Sequence, residues 1–207
     1  MPKIAVGSPK RPIYLLRFID EKKKPTPIDI FTARELSALL KYASTDLATC
    51  LAIAAFTGLR SEEILRLEWS DLRLSANFVE VGAHKAKTAT RRLVPIPAVL
   101  AQWLAMAGNR DGGPVWPVSK TAYFDAIRAT ARRARVTWKQ NALRHSWISY
   151  RLAEVQDVNR VALEAGNSPQ MIFRHYRELA TPEQARGWFN IMPQSAPNVV
   201  TFNAAAR

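Results

Sequence analysis

The chain has 207 residues, 48% of them apolar, and carries 30 Lys and Arg against 17 Asp and Glu for a formal net charge of +13. That is one ordinary domain plus some leftover chain, apolar enough for a packed core and too apolar for a disordered polymer. The charge points to a polyanionic partner, nucleic acid before an anionic membrane surface, and the single cysteine, Cys50, excludes both an internal disulfide framework and a cysteine-cluster metal site.

In chain order, residues 1–29 hold Lys3, Lys10, Arg11, Arg17 and Lys22 to Lys24 together with five prolines, and read as an extended basic linker. Either contact with a DNA backbone or a solubilising tail suits that composition. The stretch Ile13 to Ile19 is too short and too interrupted for a signal peptide, and no apolar run approaches the ~18 residues of a membrane span. A soluble, intracellular protein is therefore expected. Phe31-Thr32-Ala33-Arg34-Glu35-Leu36 combines a capping box with a hydrophobic staple and opens a helix to about Ala43. Leu47, Cys50, Leu51 and Ala54 repeat at helical spacing and form one buried face, stopped near Gly58. Ser61 is expected to cap a short helix with Glu62 and Glu63 in its first turn. Residues 77–82 and 91–96 read as two strands of a β-hairpin around a Lys- and Thr-rich turn. Helical patterns follow at about 97–107, 120–134, 142–154, 157–165 and 168–180. Thr181-Pro182-Glu183-Gln184 starts a last helix with proline at its first position. The expected fold is mainly α with a small antiparallel hairpin, a domain over residues 30–192, and an irregular tail from 193 to 207.

Arginine is the side chain best fitted to hold a phosphate, because its planar fork binds two oxygens at once. Two arginines stand out by context. Arg60 follows Thr57-Gly58-Leu59 at a helix start, where free backbone amides also favour anions, and Glu63 lies one turn on to orient it. Arg144 sits in Ala142-Leu143-Arg144-His145 within an otherwise amphipathic helix. Either one alone, in so basic a chain, also fits a solvated surface charge.

Their order with other pieces is more specific. Thr57-Gly58-Leu59-Arg60-Ser61-Glu62-Glu63, a hairpin with Lys87-Thr88 running into Val94-Pro95, then Leu143-Arg144-His145, and finally Gly166 and Tyr176, resemble the tyrosine recombinase (phage integrase) family from about Phe31 to Ile191. The resemblance implies the family's catalytic-domain fold and a site-specific recombinase or integrase that breaks and rejoins double-stranded DNA. Arg60 and Arg144 match the two arginines that clamp the scissile phosphate. Lys87 matches the general acid toward the 5′ leaving oxygen, while Lys85 is expected in a phosphate contact or in solvent. Tyr176 matches the nucleophile that forms a 3′-phosphotyrosyl link. Because that link conserves the bond energy, neither ATP nor a metal is implied, and no cofactor is expected. A tetramer on two duplexes is implied, with the helix from Thr181 exposing Trp188 and Phe189 for docking in trans or packing them on its own subunit. A prokaryotic, cytoplasmic protein bound to the nucleoid and not to membrane goes with that reading.

The sequence departs from the family pattern in three ways. Asn141 stands where the family usually has the histidine of His-x-x-Arg, and Asn167 where it usually has histidine or tryptophan after the glycine. Asparagine can hydrogen-bond a phosphate oxygen but cannot take a proton at neutral pH, so activity reduced by the loss of base assistance is expected. His145, four residues beyond Asn141, is read chiefly as a structural hydrogen-bonding residue that could stand in as base. Thirdly, 29 residues ahead of the domain are too few for the family's N-terminal core-binding domain. The alternative reading is a catalytically impaired or truncated DNA-binding relative.

Overall fold

The protein is described by a computed structural model covering residues 28–82, 91–108, 110, 112–176 and 179–194. The basic N-terminal linker, most of the C-terminal tail, and Lys85 and Lys87 in the hairpin turn lie outside those residues. Helix α1 (Ala33–Tyr42) starts as its sequence dictates: Thr32 Oγ1 accepts the Glu35 N–H at 3.2 Å, and Glu35 returns a carboxylate to the Thr32 N–H at 2.7 Å. Phe31 and Leu36, the staple, are fully buried. Helix α2 (Thr45–Thr57) is capped by Ser44 and ends at Gly58. Every side chain from Leu47 to Thr57 is buried, so α2 is core on all sides and not along one face. The two threonines in that stretch satisfy their hydroxyls on carbonyls one turn back, at Thr45 and Ile53.

The short helix α3 (Ser61–Ile64) differs from expectation at its cap. Arg60, not Ser61, holds the cap position, and the Glu63 carboxylate reaches back to accept the Arg60 backbone N–H at 2.8 Å. Strands β1 (Leu72–Arg73), β2 (Phe78–Val81) and β3 (Arg92–Pro95) form an antiparallel sheet in that order, with Phe78 opposite Pro95 and Val81 opposite Arg92. The expected hairpin is β2–β3; β1, two residues long, is too short to leave a periodic signal. Two 3₁₀ turns, Trp69–Asp71 and Leu74–Ala76, flank β1, and helices α4 (Ala98–Met106), α5 (Lys120–Ala134), α6 (Ala142–Val155), α7 (Val158–Ala165), α8 (Pro169–Tyr176) and α9 (Pro182–Phe189) follow the sheet. These helices follow the expected spans closely except that Leu179 and Ala180 lie in a bend, not in a continuation of α8.

Helix α2 is central, with α1, α4 and α6 packed around it. Helix α9 closes the far side of the core. Trp188 is fully buried, donates its indole N–H to the Ala55 carbonyl at 2.9 Å, and stacks on Tyr150 with centroids 4.7 Å apart. Of the two alternatives for this helix, Trp188 takes the second and packs on its own subunit, where an indole that fills the α2–α6 groove is removed from water. Among the described residues, no helix is long and apolar enough to cross a membrane.

Candidate active site

Glu63 is the hub from which the site is built. It is 1% exposed, and such a carboxylate must be compensated by charge and hydrogen bonds. Arg92 supplies both, with Nη1 at 3.1 Å and Nη2 at 2.7 Å, and the Arg60 Nη1 adds a third side-chain donor at 3.1 Å. Burial pushes the Glu63 pKa upward, but the hydrogen bonds and charge of Arg92, with those of Arg60, hold it below the ordinary carboxylate value. Arg92 is itself buried on β3 and donates its Nε–H to the Glu164 carbonyl at 3.2 Å, which ties the sheet to the end of α7.

Arg60 is held from two sides. Its Nη2 reaches the Gly166 carbonyl at 3.2 Å and the Asn167 Oδ1 at 3.5 Å. Gly166 is the left-handed C-cap of α7, and a Cβ there would press on the Arg92 guanidinium at 3.2 Å, so the residue is glycine for both reasons. Arg144, on the first turn of α6, is buried and donates to the carbonyls of Gly58 at 2.6 Å and Ala165 at 2.7 Å. Burial, together with the Arg60 charge, lowers its pKa to about 10, so it stays a cation at neutral pH. Both arginines thus spend part of a five-donor fork on backbone carbonyls that fix their direction, and retain further N–H groups for an anion.

Tyr176, the last residue of α8, is 6% exposed, and its hydroxyl lies 2.7 Å from His145 Nδ1. Burial raises its pKa, and the nearby charges of Arg144 and Arg60 oppose that rise. Asn141 is exposed, immediately ahead of α6, with φ +57°, a left-handed conformation that asparagine tolerates better than most residues. It is therefore a cap and not part of the helix, and the i+4 relation to His145 appears as the His145 N–H donating to the Asn141 carbonyl at 3.0 Å.

Arg60, Asn141, Arg144, Asn167 and Tyr176 all line one cleft of about 480 Å³, together with His145. Of the residues singled out in the sequence as catalytic, Lys87 alone lies outside the described residues. Two further residues belong to the site, and of these only Arg92 is not singled out in the sequence. His145, expected chiefly as a structural residue, touches the hydroxyl of Tyr176. Arg92 resembles any surface arginine in the sequence, although strand alternation with the inward-facing Val94 is a signal for it. The cleft joins two directed cations, two side-chain amides and a phenol, a set suited to receive a phosphate and bring an oxygen nucleophile to it.

Comparisons with known proteins give the family and the fold. The sequence profile of the phage integrase family matches residues 29–182. No curated protein matches. The fold is similar to that of XerA recombinase, with a TM-score of 0.60 and 18% identity over 80% of this chain and 64% of that one. It is also similar to the catalytic domain of bacteriophage HP1 integrase, with a TM-score of 0.59 and 18% identity over 72% of this chain and 86% of that one. The integrase from mycobacterium phage Brujita gives a TM-score of 0.59 and 19% identity over 93% of this chain and 64% of that one. The chain therefore spans somewhat under two thirds of the length of XerA and of the Brujita integrase. With a profile match running through most of its length, the chain belongs to the phage integrase family.

Proposed function

We propose that this protein breaks and rejoins double-stranded DNA as a site-specific recombinase or integrase, with Tyr176 as nucleophile. The observation that carries the reading is the convergence of Arg60, Arg144, Asn167 and Tyr176 in one cleft from four separate parts of the chain. Tyr176 Oη attacks a backbone phosphorus; the Oη–P bond forms, the bond from phosphorus to the 5′ oxygen breaks, and the DNA 3′ end remains on the protein. Arg60 and Arg144 neutralise the charge gathering on the non-bridging oxygens, each aimed before substrate arrives and so without reorganisation in the transition state. The amides of Asn167 and Asn141 add neutral hydrogen bonds to those oxygens. Lys87, between β2 and β3 in the sequence, gives the leaving 5′ oxygen its proton and takes it back on religation. Exchange between duplexes needs more than one subunit, and a tetramer on DNA belongs to this reading. The net charge of +13 suits such a partner.

The test mixes the protein with sheared genomic DNA from its source and quenches with detergent. A detergent-resistant protein–DNA adduct is expected from the wild type and none from Tyr176→Phe. Tight, salt-sensitive binding without an adduct, in the wild type and in Asn141→His and Asn167→His variants alike, would instead establish the impaired DNA-binding relative.

A further inference from the structure

The phenolic proton of Tyr176 must leave as its oxygen bonds to phosphorus. Asn141, just ahead of α6, and Asn167, just after the C-cap of α7, both line the cleft, and an amide takes no proton at neutral pH. Arg60 and Arg144 are cations and accept none. Among the described residues, the hydrogen-bond partner of the Tyr176 hydroxyl is His145 Nδ1, at 2.7 Å, with the two rings tilted by 32° and their centroids 5.7 Å apart. We infer that His145 is a catalytic base, whose Nδ1 takes the Tyr176 proton during attack and returns it on religation.

This inference rests on Tyr176 being the nucleophile. Forward, the O–H proton passes to Nδ1, Oη forms its bond to phosphorus, and the 5′ oxygen leaves with a proton from the general acid assigned to Lys87. In reverse, the imidazolium restores the phenol. The step requires His145 to start neutral with its proton on Nε2, so that a lone pair on Nδ1 faces the phenol. The surroundings favour the neutral ring. Its burial and the adjacent Arg144 charge lower the His145 pKa, and Asp29, from the segment leading into α1, opposes them. Among the described residues, the charged and titratable groups acting on it are Arg144 on its own helix, Tyr176 from α8 and Asp29. The cost of an imidazolium beside Arg144 falls in the transition state, when the phosphate between the arginines gains negative charge. The geometry places the base one residue after the second clamp arginine, so one helical turn presents both the electrophile's clamp and the nucleophile's proton acceptor.

The experiment follows adduct formation on sheared genomic DNA against pH for the wild type, His145→Gln, His145→Gly and Tyr176→Phe, with the urea midpoint of each as a check on folding. Glutamine keeps a polar side chain at the site but no base. His145→Gln is expected to slow adduct formation at pH 7 by about 10²–10⁴. The wild-type rate should rise through a histidine titration lying below the ordinary value of 6.5 and then level. In His145→Gln the rate should instead climb steadily into alkaline solution, and added imidazole should restore part of the rate to His145→Gly. Loss of a purely structural histidine would also slow the reaction, but it would leave the shape of the pH profile unchanged and would not be rescued by imidazole. A His145→Gln protein with the wild-type rate and pH profile overturns the inference and leaves the recombinase reading intact. An adduct absent from the wild type, or persisting in Tyr176→Phe, overturns the nucleophile assignment and the inference with it. Nitrogen-15 NMR of the DNA-free protein is an independent check: a proton on Nε2 is expected, and a proton on Nδ1 would make His145 the donor in this contact and overturn its role as base.

Discussion

Replacing Glu63 by glutamine removes one charge and almost no volume, and it probes the architecture beneath the proposed arginine clamp. The wild-type carboxylate accepts two bonds from Arg92, one from the Arg60 side chain and one from the Arg60 backbone. The Arg92 side chain is 7% exposed, so water cannot replace what is lost. Removing one partner of a buried pair costs about 3–5 kcal/mol, because the other charge is left uncompensated. Glutamine keeps one acceptor oxygen but turns an NH₂ toward the guanidinium donors, which puts the expected loss near ~3 kcal/mol. Against a typical total of about 5–15 kcal/mol that is a large fraction, readable as a lower urea midpoint with an unchanged slope. Adduct formation should fall as well, since Arg60 loses its anchor. Glu63→Leu with Arg92→Met, which removes both charges, should recover part of the stability. A Glu63→Gln protein within ~1 kcal/mol of wild type would refute the assignment of Glu63 as the compensating charge at the base of the clamp.

Other outcomes follow from the same geometry. The Glu63 pKa in the folded protein lies below its ordinary 4.5, so its stabilisation is complete above that pH and lost as pH falls through the folded value; urea midpoints between about pH 2 and 6 should show an acid limb that Glu63→Gln lacks. Gly58→Ala should destabilise by about 2–5 kcal/mol, because φ is +65° and the new methyl would sit 2.2 Å from Trp147 Cε3; a midpoint unchanged from wild type would mean that this packing is wrongly described. Cys50 is fully buried, and burial pushes its thiol pKa up to about 12, so a disulfide reagent at pH 8 should label it only after denaturant is added.

The parts of this fold that are legible in the sequence are those with local causes. The Thr32 capping box, the glycine stop after α2 and the proline start of α9 each depend on a few neighbouring side chains, and each stands where its residues put it. The strand β1 is not legible because two residues carry no period. The face of α9 is ambiguous in sequence because Trp188 is apolar both to a neighbouring subunit and to its own core, and only tertiary packing decides between them. At the site, Arg60 and Arg144 stand out through motif order, while the contacts of His145 in the cleft and of Arg92 beneath it span 31 and 29 positions of the chain, which no local pattern encodes. Asn141 has a second cause invisible to motif reasoning: its left-handed backbone suits asparagine whatever its role toward phosphate.

The most direct test of the account is to locate the DNA on the protein. Adduct formed on genomic DNA is digested with nuclease and protease, and the nucleotide-bearing peptide is sequenced by mass spectrometry, with the released DNA ends examined in parallel. The account predicts a nucleotide joined through its 3′ phosphate to Tyr176 and free 5′ hydroxyl ends on the DNA. A nucleotide on any other residue, or one joined through a 5′ phosphate, would contradict it.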